Sequence, residues 1–473
     1  MNGKAFYLGG KWKHSETVRT VNNPFDGRVA GEVCQASPAD ITAAITAAHE
    51  AFAYTRRLSS MEKHRILTAI AAGVEARKEE FARMITLETG KPIRLSRVEA
   101  DRTVFTFSIA AEESRHIEGT VLPLDLNAQS VGRFGLVKRF ALGPVGAITP
   151  FNYPLNLVAH KVAPAIAAGN PVVLKPSSNS PLVSLLLAEV IDKTDLPKGA
   201  FSVIPCRADE SSQLVSDERI KALSFTGSPA VGWPLKSAAG KKRVVLELGG
   251  NAGVIVEPGV DLKSAVQKIV MAGFSGAGQS CISVQRVFLH ESIWEHARKE
   301  ILDATAALVV GDPFDEKTLV GPMITEQAAI KIEGWIREAV NAGARLACGG
   351  TRRGALMAPT ILENVQPDMK VSCMEAFAPL ITLERYSEFA EAVRRVNASS
   401  FGLQAGLFTN DLGHALHAFE DLEVGGVVLN DVPTYRIDHM PYGGVKDSGF
   451  GREGIRYAIE EMMELKLLVV SPA

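Results

Sequence analysis

The chain alternates short apolar runs with amphipathic segments over much of its length. In the first such region, residues 143–256, five apolar runs predict buried strands: 171–174, 201–204, 222–225, 243–248 and 253–256. Segment 181–194 carries Leu182, Leu185, Leu186 and Val190 at helical spacing, and a further helix is predicted to begin near Pro229. This strand–helix alternation predicts an α/β fold with a parallel sheet that helices cover on both faces.

A second alternating region runs from residue 261 to about residue 428, with helices predicted at 262–274 and 294–308 and a strand at 286–289. Periodic segments at 39–53 and 61–89 predict surface helices packed on the first sheet. Three outlying segments, 120–125, 132–141 and 463–470, resemble strands. Because a strand at the end of a chain needs a partner, we expect these segments to pair, and to do so between subunits.

Composition narrows the class of protein. The 473 residues are 46% hydrophobic and 22% charged, which is typical of a globular enzyme with two or three domains. The formal net charge of −2 gives no general reason to expect a nucleic acid or a membrane as partner. The N-terminal segment lacks the apolar core of a secretory signal. The five cysteines are odd in number and widely spaced, so we expect reduced thiols, no metal site and a cytoplasmic enzyme.

Three residues stand in contexts that suit catalysis. Cys281, in GAGQSC, follows a glycine-rich stretch at the end of a helical segment, where backbone N–H groups could lower the pKa of its thiol. Glu247, in LELGGN, ends a predicted strand and could act as a general base. Asn152, in TPFNYP, could donate to an oxyanion. Taken singly, each has an ordinary alternative: a buried structural cysteine, a salt-bridge acid and a turn residue.

Two further segments suit a phosphate-bearing ligand. Segment 225–232, FTGSPAVG, orders a strand end, a turn and a helix start, whose free N–H groups could bind a phosphate. Lys175, in VVLKPSS, follows a buried strand and could meet ribose hydroxyls or a phosphate. Neither segment is a GxGxxG fingerprint, and a solvated lysine at a strand end is the alternative for Lys175.

Six motifs, PFNYP, LKPS, FTGSPAVG, LELGGN, GQSC and MEAFAP, occur at characteristic spacing. Together they closely resemble the aldehyde dehydrogenase superfamily, from GGKW near the N-terminus to PYGGVKDSGFGREG at 441–454. The resemblance implies a Rossmann-type NAD(P)-binding domain at 1–118 and 137–248 and an α/β catalytic domain at 249–440. It also implies β oligomerisation strands at 119–136 and 455–473, which would build a homodimer or homotetramer.

The resemblance also implies a mechanism for oxidising a small aldehyde. Cys281 matches the thiolate that attacks the aldehyde carbon, and Asn152, with the backbone N–H of Cys281, matches the oxyanion site. Glu247 matches the acid that activates water to hydrolyse the thioester, and Lys161 matches a lysine that relays protons. The presence of Glu247 argues against the branch that transfers the acyl group to coenzyme A.

For the cofactor, the resemblance implies that Lys175 binds a ribose, Ser228 contacts the pyrophosphate and Glu375 binds the nicotinamide ribose beside Phe377. Further cofactor positions are expected at Thr149, Pro150, Phe225, Gly227 and Gly249. The motif MEAFAP departs from the family pattern at Met374 and Ala378, which could shift the local backbone.

Ser178 departs from the family in a way that concerns the cofactor. NAD-preferring members often carry glutamate three residues after the lysine, where it repels a 2′-phosphate. Serine cannot repel that group, so we expect NADP to be accepted at this site.

Within the superfamily, segments 152–170 and 438–455 look most like the lactaldehyde dehydrogenase-like group, which includes succinate-semialdehyde and phosphonoaldehyde dehydrogenases. Arg102 and Arg436 fall where arginines of relatives bind the distal anion of their substrate, and Tyr153, next to Asn152, could shape the pocket. We therefore expect a small anionic aldehyde, such as succinate semialdehyde, phosphonoacetaldehyde or a sulfonated or phosphorylated analogue.

Alternatives remain for the substrate and for the class. Neutral lactaldehyde is the second candidate substrate, and either arginine could instead serve a structural ion pair. A catalytically silent structural protein is the remote alternative, which the joint presence of Cys281, Glu247 and Asn152 disfavours.

Overall fold

A mixed sheet of eight strands, here called the large sheet, organises the N-terminal half of the computed structural model, which describes residues 3–472. Its five central strands are parallel. Phe6–Leu8 and Gly449–Phe450 pair with them in antiparallel fashion at the two sides, and Lys11–Lys13 pairs antiparallel with Phe6–Leu8 at the outer edge. The strand order is Lys11–Lys13, Phe6–Leu8, Phe201–Val203, Val172–Lys175, Val145–Ile148, Ala222–Thr226, Arg243–Glu247 and Gly449–Phe450. Four of the predicted strands, 171–174, 201–204, 222–225 and 243–248, are confirmed in this sheet. The fifth, 253–256, is a strand of the second sheet, and neither the central strand Val145–Ile148 nor the short edge strands were predicted.

Helices cover both faces of the large sheet and bury a continuous apolar core against it. The predicted helix at 61–89 is two helices that meet at Arg77, whose φ of −117° and ψ of 18° are not helical. In the described part of the chain, no helix has the length and apolar character needed to span a bilayer. The helices of this half are Pro38–Thr55, Ser60–Ala76, Lys78–Thr89, Ile93–Glu113, Asn156–Ala168, Pro181–Ile191, Ser212–Ser216, Pro229–Ala238 and Ile455–Glu461.

A second sheet of seven strands carries the rest of the chain, and all its strands are parallel except the edge strand Arg345–Cys348. Its order is Arg345–Cys348, Thr360–Glu363, Leu380–Tyr386, Arg286–His290, Gly253–Val256, Gln404–Phe408 and Gly426–Leu429. Its helices are Leu262–Phe274, Trp294–Ala306, Glu326–Asn341, Lys370–Cys373, Phe389–Asn397 and Leu412–Asp421. The alternation predicted for residues 261–428 is therefore confirmed.

A three-stranded antiparallel sheet stands apart from both, formed by Thr120–Pro123, Phe134–Ala141 and Met463–Val470. The C-terminal strand pairs along its whole length with Phe134–Ala141, from Met463 opposite Ala141 to Val470 opposite Phe134. The expectation that these segments pair between subunits was therefore wrong for this strand, because its partner belongs to the same chain. Short pairs complete the strands: Val18–Asn22 with Val29–Cys34, Arg352–Arg353 with Leu356–Met357, and Phe401–Gly402 with Val445–Lys446.

The connections of the large sheet reverse direction between strands Val145–Ile148 and Ala222–Thr226. After Val145–Ile148, the next two strands, Val172–Lys175 and Phe201–Val203, are added on one side of it. Strand Ala222–Thr226 is then added on its other side. At such a switch point a crevice opens beyond the carboxyl ends of the strands, which is where open α/β sheets bind their ligands.

Glu99 fixes the start of helix Asn156–Ala168 from a neighbouring helix. Its buried Oε1 accepts hydrogen bonds from the backbone N–H groups of Leu155 at 2.9 Å and Asn156 at 3.1 Å, and its Oε2 accepts from Lys91 Nζ at 2.5 Å. Because the first N–H groups of a helix have no partner within the helix, this carboxylate replaces the missing acceptors. The segment PFNYP is thereby held against helix Ile93–Glu113.

We expect Glu99→Ala to lower the free energy of unfolding by about 3 kcal/mol, because it leaves a buried ammonium and two buried N–H groups without an acceptor. Urea unfolding followed by intrinsic fluorescence measures the change. The control is Glu79→Ala, which removes an exposed ion pair with Arg97 and should shift the midpoint little. Equal shifts for both variants would contradict this account of Glu99.

Candidate active site

Cys281 is fixed by two close backbone approaches. It follows helix Leu262–Phe274 and the turn Ser275–Gly278, in which Gly278 has a φ of 63°. A Cβ at Gly278 would lie 2.2 Å from the carbonyl oxygen of Ala378, and a Cβ at Gly250 would lie 2.3 Å from the carbonyl oxygen of Cys281. Only glycine fits at these two positions, so the segment that follows the large sheet, LELGGN, is locked against the cysteine.

Cys281 lines a cavity of about 360 Å³ together with Asn152. The remaining lining comes from helix Ile93–Glu113, helix Leu262–Phe274 and the loop that carries Arg436. Three sequence-predicted substrate residues, Arg102, Tyr153 and Arg436, line the same cavity. The structure therefore brings the thiol, the amide and these three residues to one place.

The surroundings of Cys281 do not lower the pKa of its thiol. Burial raises that pKa from about 9 to about 12, and only the hydrogen bond with Tyr442 and the charge of Arg436 oppose the rise. The expectation that neighbouring backbone N–H groups lower the pKa was wrong, because the cost of burying a thiolate here outweighs them. A thiolate at this site depends on the few side chains that reach the sulfur.

Glu247 ends strand Arg243–Glu247 and is 3% exposed. Neither of its carboxylate oxygens has a hydrogen-bond partner among residues 3–472, and a Cβ at Gly443 would lie 3.1 Å from Oε1. Burial raises the pKa of Glu247 well above its usual range, and the nearby carboxylate of Glu453 raises it further. Glu247 does not line the cavity itself, but its charge reaches both Cys281 and Tyr442.

A hydrogen bond from its side-chain amide holds Asn152 in place. Its Nδ2 donates to the carbonyl oxygen of Gln279 at 3.0 Å, two residues before the cysteine. Within the described residues its Oδ1 accepts no hydrogen bond. The side chain is 8% exposed and faces the cavity.

Lys161 is fully buried beneath the site rather than in the cavity. Its Nζ donates to Ser224 Oγ at 3.0 Å and to Glu453 Oε1 at 3.1 Å. Glu453 also accepts from Arg436 Nη2 at 3.0 Å through its other oxygen. Although burial opposes ionisation of Glu453, these two cations lower the pKa of its carboxyl below the usual range.

Arg436 therefore has a structural partner at the site. Its side chain is 7% exposed, and its guanidinium carbon lies 3.6 Å from the centre of the Tyr442 ring. Its Nη2 also lies 3.4 Å from His160 Nδ1. The guanidinium reaches the cavity from beneath the tyrosine, already paired with Glu453.

Arg102 is likewise paired, with Asp438. Its guanidinium donates to Asp438 Oδ1 at 2.6 Å and to Oδ2 at 3.3 Å, while its side chain stays 25% exposed. Asp438 also accepts from Asn156 Nδ2 at 3.2 Å and contacts His160 Nε2 at 2.8 Å. Although burial alone would raise the pKa of Asp438, the hydrogen bond with His160 and the charge of Arg102 hold it well below its usual range.

All the charged side chains among the described residues that line the cavity are cationic. Lys91, Arg102, Lys268 and Arg436 line it, and among its described lining residues there is no Asp or Glu. The carboxylates that neutralise these cations lie behind the wall. A small ligand in the cavity would therefore meet four cationic side chains and no anionic one.

The carboxyl edge of the large sheet presents polar groups without partners. Thr149 Oγ1 and Thr226 Oγ1 are buried and have no hydrogen-bond partner within the described range, and Lys175 Nζ has a single long contact of 3.4 Å with the carbonyl oxygen of Pro176. Burial lowers the pKa of Lys175. Ser228 caps helix Pro229–Ala238 without a side-chain hydrogen bond and is exposed. These groups suit a polar ligand at the switch point.

The other predicted cofactor positions lie in several different surroundings. Pro150 follows strand Val145–Ile148, Phe225 packs against Gly227, and Ser178 lines a separate cavity that Arg19 also lines. Glu375 Oε1 accepts from the backbone N–H of Gly250 at 3.0 Å, and Gly249 lies against the same carboxylate. Phe377, with a φ of 50°, packs edge-on against Phe151, with ring centres 5.8 Å apart.

Burial raises the pKa of Glu375 to about 7. Its carboxylate stands between the LELGGN segment and the second sheet, beside the glycine that contacts Cys281. The dinucleotide-type crevice and the cysteine therefore adjoin one another.

Sequence reasoning missed Tyr442, Glu453, Asp438, Lys91 and Lys268. The first three lie in the segment from Arg436 to Glu453, which was singled out only as a motif, and nothing in their spacing indicates that they meet Cys281, Lys161 and Arg102. As to metals, the described part of the chain contains no group of three His, Cys, Asp or Glu side chains placed to hold an ion.

A doubly wound sheet with a polar crevice, joined to a partly buried cysteine at a cationic cavity, is the arrangement of a thiol-bearing dehydrogenase. The model of the aldehyde dehydrogenase family matches residues 12–468. The chain belongs to the aldehyde dehydrogenase family, and it is an NAD(P)-dependent oxidoreductase of aldehydes.

Relatives of several specificities are similar over nearly their whole length. A 3-sulfolactaldehyde dehydrogenase from Priestia aryabhattai is 43% identical over 466 residues, which cover 98% of this chain and 97% of the relative. A lactaldehyde dehydrogenase from Methanococcus aeolicus is 38% identical over 470 residues, covering 98% and 99%. The crystal structure of aldehyde dehydrogenase 21 from Physcomitrella patens, in complex with the reaction product succinate, has a TM-score of 0.97 and 45% identity, and the match covers 99% of this chain and 98% of that one.

We expect Asp438→Asn to lower the free energy of unfolding at pH 7 by about 2 kcal/mol, since a charged acceptor of several hydrogen bonds is lost. The folded-state pKa of Asp438 is depressed, so its contribution is present above the unfolded pKa of about 4 and is lost progressively below it. The difference between variant and wild type should therefore shrink from pH 7 to pH 3 in urea unfolding.

The control for this prediction is Asp209→Asn, which alters an exposed pair with Arg207 and should leave the midpoint unchanged. A difference between Asp438→Asn and wild type that stays constant with pH would show that the charge of Asp438 is not what stabilises the fold.

Proposed function

We propose that the protein oxidises a small anionic aldehyde to its carboxylate through a thioester on Cys281. The observation that carries the proposal is the shared cavity of the Cys281 sulfur and the Asn152 amide, beside a buried carboxylate, Glu247, whose oxygens have no partner in the described residues. An aldehyde cannot release hydride until a nucleophile has added to its carbon, so a thiol placed at the cavity wall is the group that begins the reaction.

In the proposed first step, the Cys281 thiolate adds to the aldehyde carbon and its oxygen becomes an oxyanion. In this proposal Asn152 Nδ2 and the backbone N–H of Cys281 would bind it, and both residues line the cavity. Asn152 has its second amide hydrogen available for this, because one is already used by the carbonyl of Gln279. The amide is therefore preorganised for the charge that develops.

In the second half-reaction, Glu247 takes a proton from water as that water attacks the thioester carbon, and the carboxylate product leaves as the Cys281 sulfur departs. Burial and the charge of Glu453 raise the pKa of Glu247, which makes its carboxylate a stronger base. Lys161 would act behind Glu247 through Glu453, and it would help to move protons towards solvent.

Bound NAD(P) supplies the acceptor for the hydride that leaves the carbon between these steps. In this proposal Lys175 and Ser178 would bind the adenosine ribose, Ser228 and Gly227 the pyrophosphate, and Glu375 the nicotinamide ribose. Thr149, Pro150, Phe225, Gly249 and Phe377 would form the walls of the same crevice. The unpartnered hydroxyl of Thr149 and the nearly unpartnered amine of Lys175 support this assignment. We infer that NADP is accepted, because Ser178 cannot repel a 2′-phosphate.

Three lines of support favour an anionic substrate. The cavity wall carries four cations and, among its described residues, no acid. One relative is named for a sulfonated aldehyde, and a solved relative holds a dicarboxylate product. Arg102 keeps a quarter of its side chain exposed beside Tyr153, so its guanidinium can contact a terminal anion. Arg436 lies beneath Tyr442 and is paired with Glu453, so it would add to the positive potential of the cavity wall. Succinate semialdehyde and its sulfonated, phosphonated or phosphorylated analogues are the first candidates.

Lactaldehyde is the second candidate, favoured by the Methanococcus relatives named for that activity. The pairing of each cavity arginine with a carboxylate also suits a neutral hydroxyaldehyde, because neither guanidinium then needs an external anion.

Single-turnover kinetics test the mechanism. We expect Cys281→Ser to abolish NAD(P)H formation. Glu247→Gln should instead form about one NAD(P)H per active site in a fast burst, followed by turnover slowed at least about 100-fold, because thioester hydrolysis loses its base. Cys348→Ser, at the far edge of the second sheet, is the control and should behave as wild type. Steady turnover by Cys281→Ser would overturn the thioester mechanism.

A substrate pair of matched size tests the anion. For Arg102→Gln and Arg436→Gln, we expect the ratio of kcat/KM for succinate semialdehyde to that for butyraldehyde to fall about tenfold or more, since a charge-assisted contact is lost. Arg97→Gln, on the same helix as Arg102 but in an exposed ion pair, should leave the ratio unchanged. An unchanged ratio in both cavity variants would favour the neutral hydroxyaldehyde instead.

A further inference from the structure

We propose that Tyr442 is a catalytic residue whose phenol O–H donates a hydrogen bond to the Cys281 thiolate. The inference rests on the proposed thiolate mechanism and adds to it a residue to which neither the sequence motifs nor the relatives' names assign a role.

Tyr442 is held rigidly against the sulfur. Its hydroxyl lies 3.3 Å from Cys281 Sγ, and the residue is 3% exposed. Its backbone N–H donates to the carbonyl of Glu453 at 3.0 Å, and its own carbonyl accepts from the N–H of Glu453 at 2.7 Å. The ring packs with Ile282 and Leu403 in a small apolar cluster that also includes Cys281. The hydroxyl is therefore positioned by backbone bonds and packing, not by chance rotation of an exposed side chain.

The direction of the hydrogen bond follows from the chemistry of the two groups. A thiolate can only accept, and in the described part of the chain the Tyr442 hydroxyl is the one side chain that hydrogen-bonds Sγ. Burial raises the pKa of Tyr442 well above its usual value, so the phenol keeps its proton and remains a donor. A hydrogen bond to an ionised acceptor is about twice as strong as one between neutral groups, so the contact favours the thiolate over the thiol.

Arg436 strengthens the donor from the other side of the ring. Its guanidinium carbon lies 3.6 Å from the ring centre, and its charge is held in place by Glu453 at 3.0 Å. A cation over the ring face draws electron density from the phenol, which makes its O–H a better donor. Glu453 thus fixes Arg436, Arg436 polarises the Tyr442 ring, and the Tyr442 hydroxyl contacts the sulfur. The positive charge of Arg436 favours the thiolate through the tyrosine, without itself contacting the sulfur.

Two hydrogen-bond donors at the cavity serve two different acceptor atoms. In the proposed mechanism Asn152 binds the substrate oxygen, whereas the Tyr442 hydroxyl contacts the sulfur. Donation to the sulfur lowers the pKa of the thiol and so increases the thiolate fraction, but it also makes each thiolate less nucleophilic. The logarithm of the thiolate rate constant falls by about 0.4–0.5 for each unit by which the thiol pKa falls. A tenfold gain in thiolate fraction therefore gives a net rate gain of about threefold.

The test measures alkylation of Cys281 by iodoacetamide without aldehyde or cofactor, from pH 7 to pH 9. Mass spectrometry of the peptide that contains residue 281 separates this thiol from the other four cysteines. We expect Tyr442→Phe to react about threefold more slowly than wild type throughout this range, because in both proteins the thiol is mostly protonated. The same factor should appear in kcat/KM, while the ratio between succinate semialdehyde and butyraldehyde stays unchanged.

The matched control is Tyr435→Phe, which removes an exposed hydroxyl from the same loop and should leave the alkylation rate unchanged. Equal urea midpoints for wild type and Tyr442→Phe would establish that the variant folds. Alkylation of Tyr442→Phe at the wild-type rate or faster would overturn the proposal, since the tyrosine would then be an acceptor for the thiol or a mere neighbour. Because the assay contains no aldehyde, its result stands apart from whether Cys281→Ser abolishes aldehyde oxidation.

Discussion

The close approach of the LELGGN segment to the cysteine loop is the constraint on which the site depends. A Cβ at Gly250 would lie 2.3 Å from the carbonyl oxygen of Cys281, so the segment that leaves the large sheet and the loop before strand Arg286–His290 share one backbone contact. Glu247 stands three residues before this contact, and Glu375 accepts the N–H of Gly250 from the other side. A side chain at Gly250 would displace Cys281 and Glu375 from the segment that carries Glu247.

Buried charges form the second layer of the site, and they are arranged in pairs behind it. Glu453 joins Lys161 and Arg436, Asp438 joins Arg102, and Glu99 joins Lys91. Burial and the charge of Glu453 raise the pKa of Glu247, which has no hydrogen-bonded cation in the described residues, whereas Glu453 stays ionised between two cations. The pairing leaves Glu247 as a strong base and leaves the cavity wall with cations alone.

Prediction from sequence succeeded where a local pattern is sufficient. Buried parallel strands such as Val172–Lys175 and Gly253–Val256 are continuous apolar runs, and helix Leu262–Phe274 has clear helical spacing, so both types were predicted almost to the residue. It failed where pairing decides the structure. The edge strands Phe6–Leu8 and Lys11–Lys13 are too short to show a pattern, and no local signal indicates that Met463–Val470 pairs with Phe134–Ala141 of its own chain.

By itself, the sequence determined the α/β class, the family resemblance and the identity of Cys281, Asn152 and Glu247 as candidate catalytic groups, because these depend on residue type and order in short motifs. Only the tertiary structure decided the electrostatics. It raised the pKa of the Cys281 thiol where backbone N–H groups were expected to lower it, and it paired Arg102 and Arg436 with carboxylates from residues 438 and 453. It also brought the Tyr442 hydroxyl to the sulfur. These outcomes depend on burial and on contacts between residues that are more than 100 positions apart for all but Arg436 and Glu453, and such contacts leave no trace in local spacing.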